Sequence, residues 1–188
     1  MRIAVIGTAG RRDDREKLSW ALYGKAYNKL DAILSETGLP PEQIHLVSGG
    51  AAWMDHEAVT LYLTGKASSL TIFGAAPWDA ENSEWYDSGV RDFKTNPGGT
   101  LNHYHRLFHE DTGRNSLATL GRVFASGAKL IVKPGLHNRN RHVATECDMA
   151  IALTFNDSTV PKDGGTKHTW DIAKSLEKQC IHIDLGSL

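Results

Sequence analysis

Glycines gather where the short apolar runs of this chain stop. Gly7-Thr8-Ala9-Gly10 follows the run Ile3–Ile6, Ser48-Gly49-Gly50 closes residues 44–48, and Gly74-Ala75-Ala76-Pro77 follows residues 69–73. Gly164-Gly165-Thr166 stands an eight-residue interval beyond residues 149–155. Glycine lets the backbone turn with positive φ and lets a ligand approach the main chain closely. Where a helix follows, its free N–H groups and its dipole attract an anion. Any one of these is as readily a tight βα turn. Four of them, each before a helix or loop, favour a phosphate-bearing, nucleotide-like ligand, with Thr8 in the first turn as a contact. Arg11-Arg12 after the first turn, with Asp13-Asp14-Arg15, could clamp a phosphate, a solvated helix start being the equal alternative. Gly113-Arg114-Asn115 is a second anion candidate that reads better as a turn opening a helix.

Two nucleotide sites are disfavoured. Gly7–Gly10 lacks the G-x-G-x-x-G spacing, no acidic residue ends the second apolar run to hold a ribose, and no Walker motif is present. A nicotinamide-dependent dehydrogenase and a P-loop kinase are thus not expected, and no cofactor is assigned. His103, His105 and His109, followed by Glu110-Asp111, have ligand types that suit zinc or manganese. The H-E-x-x-H spacing is absent, so a polar loop is the reading and no metal is assigned.

The elements that must position these residues alternate between two periods. Short β-branched runs at residues 2–6, 44–48, 69–73, 129–133, 149–155 and 180–185 read as strands. Between them, apolar residues three and four apart mark helices at about 15–37, 54–63, 116–126, 140–147 and 166–178. Strands separated by helices imply right-handed crossovers and a mostly parallel sheet. The expected fold is a three-layer, Rossmann-like α/β domain over residues 1–188, with ligands beyond the carboxyl ends of the strands. Residues 75–115 show no clear period and hold Trp78, Trp85, Tyr86, Phe93, Tyr104 and Phe108. A connection this long is read as an insertion or lid. Its aromatic residues could stack on a base, but packing against the body is favoured.

Composition narrows the class. The chain has 188 residues with 22 acidic and 21 basic side chains, a formal net charge of −1. Near-neutral charge argues against non-specific nucleic-acid binding. No apolar run approaches the ~18 residues of a membrane span, and two cysteines without metal-type spacing fit a reduced, cytoplasmic protein.

Residues 139–171 carry a resemblance. Arg139-Asn140 begins a short helix, Val143 stands four residues after Arg139, Asp148 opens the strand Met149–Leu153, and Gly164-Gly165-Thr166 enters the last helix. This is similar to the LOG (Lonely Guy) family, formerly labelled lysine-decarboxylase-like, whose pattern is R-K-x-x-M, a strand, then P-G-G-x-G-T-x-x-E. Ser48-Gly49-Gly50-Ala51-Ala52-Trp53-Met54-Asp55 resembles the G-G-A-x-x-x-D variant of the wider SLOG superfamily, which includes DprA-like proteins. The resemblance covers residues 2–74 and 129–185. It implies nucleotide contacts at Ser48, Gly49, Gly50, Asp55, Asn140, Gly164, Gly165 and Thr166, joining Gly7, Thr8 and Arg11. It also implies a homodimer whose sites receive residues from the partner copy, and cleavage of an N-glycosidic bond in a nucleoside monophosphate.

Such a cleavage passes through a cationic sugar. A carboxylate stabilises that charge or activates water, and an arginine holds the phosphate or assists the leaving base. Arg139 with Asp171, or with Glu146, are the catalytic candidates. If Gly164-Gly165 align with the family's first glycine pair, Asp171 falls on its glutamate, with Lys167 and His168 in place of Gly-Thr. If Gly165-Thr166 align with the later pair, no carboxylate falls there. The alternative of another class is a non-catalytic sensor or sequestering module for a signalling nucleotide.

Overall fold

The computed structural model describes residues 1–188. Six strands form one parallel sheet: β1 (Arg2–Gly7), β2 (His45–Ser48), β3 (Ser69–Gly74), β6 (Lys129–Val132), β7 (Met149–Thr154) and β8 (Gln179–Asp184). Their order across the sheet is β6-β3-β2-β1-β7-β8. The register sets Ile3 beside Leu46 on one flank and beside Met149 on the other. The chain steps from β1 in one direction to β6, then returns to β7 and β8. With right-handed crossovers, that reversal puts the helices of the two halves on opposite faces.

On one face lie α2 (Trp20–Glu36), α3 (Glu57–Leu63), α4 (Pro97–Thr112) and α5 (Ser116–Ala125). Their apolar sides meet Ile3, Val5, Leu46, Leu70, Ile72 and Ile151 in the larger core. On the other face lie α6 (Leu136–Thr145) and α7 (Gly165–Ser175). Val143, Ala144, Trp170 and Ala173 pack there on Ala4, Ile6, Val47 and Phe73. Alternate residues of each strand therefore serve alternate cores, as the pleat requires.

Three local features differ from the sequence expectation. The helical pattern at 15–37 is broken in two: a four-residue turn α1 (Asp14–Lys17) ends at Leu18, whose extended ψ of 141° interrupts it, and Ser19 caps α2 by accepting from the Leu22 N–H. The segment from Met54 starts as one 3-10 turn, Trp53–His56, before α3. Residues 75–115 carry regular elements of their own. They hold a short hairpin, β4 (Trp78–Asp79) with β5 (Glu84–Trp85), and the 16-residue helix α4. The buried stripe of α4 is Leu101, Asn102, His105 and Phe108. Two of those four are polar, which hides the period from a hydrophobicity reading. Its boundary signals are present nonetheless: Asn96 caps it, Pro97 is its first residue, and Gly113 ends it with φ 69°.

Candidate functional site at the carboxyl edge of the sheet

β1 ends at the point where the chain direction reverses, between β2 and β7. Gly7 stands there and is bonded on both sides. Its N–H donates to Asp55 Oδ1 at 2.9 Å, and its carbonyl accepts from Thr166 Oγ1 at 2.8 Å. Thr8 continues the turn: its N–H donates to Leu153 O, and its hydroxyl donates to Asp14 Oδ2 at 2.7 Å while accepting from the Gly10 N–H. The neighbouring turn is built around Ser48. The Ser48 hydroxyl donates to Asp55 O at 2.8 Å and accepts the Gly50 N–H. Asp55 thus ties the first two glycine turns together.

Arg139, from the first turns of α6, reaches across the edge and lies over Gly49. A Cβ on Gly49 would stand 1.5 Å from Arg139 Nη1, so only glycine leaves the guanidinium room. Nη1 donates to Asp55 Oδ2 at 3.2 Å; both side chains are at least nine-tenths buried. Burial pushes the Asp55 carboxyl up, with Arg139 and the Gly7 N–H pulling it back down. Burial likewise lowers Arg139, against the charge of Asp55. The guanidinium is only partly satisfied: Nε is buried without a partner, and Asp55 is the one acceptor it meets.

The third part of the site is the start of α7. Gly164 has φ 98°, a conformation open to glycine, and no side chain caps the helix that begins at Gly165. Asn140 Nδ2 donates to Gly165 O at 3.2 Å. The Arg11 guanidinium sits beside Gly164, with Nη1 3.5 Å from where a Cβ would be. α6, following Gly135, also starts without a side-chain cap. Gly7, Thr8, Arg11, Ser48, Gly49, Gly50, Asp55, Arg139, Asn140, Gly164, Gly165 and Thr166 are accordingly brought to one edge.

Two candidates are not brought there. Both helices run back from the carboxyl edge at about 1.5 Å per residue. Glu146, just past the end of α6, is carried to the amino edge and pairs with Arg2, the first residue of β1. Asp171 lies six residues into α7, some 9 Å along it, where its 56% exposed side chain pairs with Lys167. The histidines of α4 do not share a face. His103 and His109 are exposed, while His105 is buried and bonds Gly50 O at 3.1 Å and Ser116 Oγ at 2.8 Å. Gly113-Arg114-Asn115 is a helix-to-helix turn in which Asn115 caps α5 and Arg114 lies 4.3 Å over the Trp20 ring. Trp85 packs inward against Gly50 and Gly74 and is fully buried. Asp14 and Lys162 are participants that the sequence did not single out. Asp14 is buried, bonds Thr8, and meets Lys162 Nζ at 3.2 Å. Only the Arg11–Asp14 charge run hinted at the first of them.

No family model and no solved structure matches the chain. An uncharacterized protein of Acanthamoeba polyphaga mimivirus is 33% identical to it over 190 residues, an alignment that covers 98% of this chain and 97% of that protein.

Proposed function

The chain belongs to the same family as that mimivirus protein, and we propose that it binds a nucleotide or nucleotide-derived ligand at the carboxyl edge of its sheet. The reading rests on one convergence: the uncapped start of α7 at Gly164-Gly165-Thr166, the Arg11 guanidinium beside it, and the partly satisfied Arg139 over Gly49. Free N–H groups at a helix start and two guanidinium groups favour a phosphate. The glycines leave the main chain bare for close approach. The arrangement fits a divergent SLOG-type site.

Binding without turnover is the reading the geometry supports best. Hydrolysis of an N-glycosidic bond calls for a carboxylate at the reacting carbon. Asp171 is tied to Lys167, Glu146 sits at the opposite edge, and Asp55 is held by Arg139 and Gly7. Calorimetry with nucleoside monophosphates, followed by assay for free base, tests both halves. Saturable binding with no base released is the expected result; release that stops in Asp171→Asn would restore the hydrolase reading.

Gly165→Val provides the second test. A Cβ at this position meets only Asn140 Nδ2, at 3.3 Å. The fold should therefore survive, with a melting temperature close to that of the unchanged protein. The added side chain covers the start of α7, so affinity for a nucleoside monophosphate should fall by roughly tenfold or more. Unchanged affinity on a folded variant would place the phosphate elsewhere.

A further inference from the structure

Parallel sheets in α/β folds are covered by helices on both faces. This one is covered on one face only in part. Six strands span about 24 Å, and the two helices α6 and α7, each about 10 Å wide, cannot reach across them. α6 covers Val47 and Phe73, and the uncovered part, over β6 and the amino-terminal halves of β2 and β3, forms a groove of about 470 Å³. That volume lies within the range of small-molecule sites.

Strand alternation determines what the groove displays. β6 places Lys129 and Ile131 on this side, with Lys133 one residue past its end, and β3 places Ser69, Thr71 and Phe73. The two lysines stand four residues apart along extended chain, about 13 Å between their Cα atoms. Phe73, 3% exposed, is stacked on the half-buried His142 ring of α6, at 5.9 Å between centroids and 20° between planes, and the His142 ring with Phe73 against it forms one wall. His45 adds an imidazole at the amino end, bonded to Ser69. The only carboxylate lining the groove, Glu146, is taken by Arg2. Lys129 and Lys133 are left as cations without an acidic partner, at either end of a floor that includes Ile131.

We propose that this groove is a second binding site, for a small aromatic anion such as an aryl carboxylate or aryl phosphate. Its flat part would lie on Ile131 and against the Phe73–His142 wall, where apolar area is removed from water. Its charge would meet Lys129 or Lys133, and its polar edge the hydroxyls of Ser69 and Thr71. A helix from a second copy of the chain fits less well. It would bury both lysine ammonium groups and two hydroxyls, which is costly without partners for each, whereas a small anion supplies partners and leaves the remaining polar groups in water.

The test is calorimetry with naphthoate, with inorganic phosphate run in parallel. Naphthoate should bind at one site, with the ring-proton signals of His142 and His45 shifting in the same titration; phosphate alone should bind much more weakly. Lys129→Gln with Lys133→Gln should weaken naphthoate by roughly tenfold or more. Gly165→Val, at the start of α7 and outside the groove lining, should leave it unchanged, so failure here is separable from failure at the nucleotide site. No binding of naphthoate, equal affinity in the double variant, equal affinity for phosphate, or loss in Gly165→Val would each overturn the proposal. So would light scattering that shows a dimer which the double variant dissolves, since the face would then be a subunit interface.

Discussion

Arg139→Ala is expected to lower the folding stability by about 3–5 kcal/mol, the usual cost of removing one partner from a buried ion pair. The Asp55 carboxylate left behind is 4% exposed as a residue and keeps little beyond main-chain N–H donors such as that of Gly7. For a chain of this length that corresponds to a fall in melting temperature of roughly 10 °C. Gly49→Ala should be similarly damaging, because its Cβ would overlap Arg139 Nη1 and crowd Asp55 Oδ2 at 2.8 Å. Asp55→Asn combined with Arg139→Met removes both charges and should regain most of the stability while leaving the nucleotide site without the Arg139 guanidinium. Urea denaturation of the single and paired variants checks this. If Arg139→Ala unfolds with the midpoint of the unchanged protein, the pair does not hold the two glycine turns together.

Acid should destabilise this protein well above the usual carboxylate range, and the source is a group of side chains beneath the site. His56 and His105 are buried with ring centroids 6.1 Å apart. Burial, with His105 nearby, holds His56 down to about 3. Burial holds His105 down to about 4, against the Gly50 carbonyl that favours its charged form. In the unfolded chain both titrate near ~6.5. Their folded pKa values are depressed, so the unfolded state binds more protons below that point. The stability they contribute is present above pH ~6.5 and is lost as pH falls toward 4, by roughly 1.4 kcal/mol per pH unit for each histidine. Glu57 acts with the opposite sign. It is fully buried, neither carboxylate oxygen has a hydrogen-bond partner, and burial raises it well above its ordinary value. Its contribution is complete below its unfolded value and declines as pH rises past it. Between about pH 4.5 and 6.5 the two histidines work against the raised carboxyls of Glu57 and Asp55, so stability falls with acid less steeply than the roughly 2.8 kcal/mol per pH unit of two histidines alone. Glu57→Gln removes one opposing carboxyl. The variant should be more stable at neutral pH, and its slope should be steeper than that of the unchanged protein, by at most roughly 1.4 kcal/mol per pH unit. Urea midpoints at several pH values between 4.5 and 7 read this directly, and identical slopes for the two proteins would show that Glu57 is not held neutral.

The sequence by itself determined the layers and the edge on which the site would stand. Alternation of short β-branched runs with helical periods is a one-dimensional record of burial, and it leads to a parallel sheet with all six strands close to their expected places. Glycines at the ends of those runs mark where the main chain must turn in the open, which is why Gly7, Gly49, Gly50, Gly164 and Gly165 are legible as one set in the sequence. Polar pairing leaves no such record. Asp55 and Arg139 are 84 residues apart, and nothing in either neighbourhood says that they meet. α4 stayed hidden because Asn102 bonds the main chain of Trp85 and His105 bonds Gly50 and Ser116, so its inward face is polar and yet buried. Glu146 needed only helix geometry to be placed at the amino edge, since a helix that follows a strand runs back along it. The open groove over β3 and β6 was decided by topology alone. Right-handed crossovers put three successive β-to-β connections on one face, and the two helices left for the other are too narrow to close it.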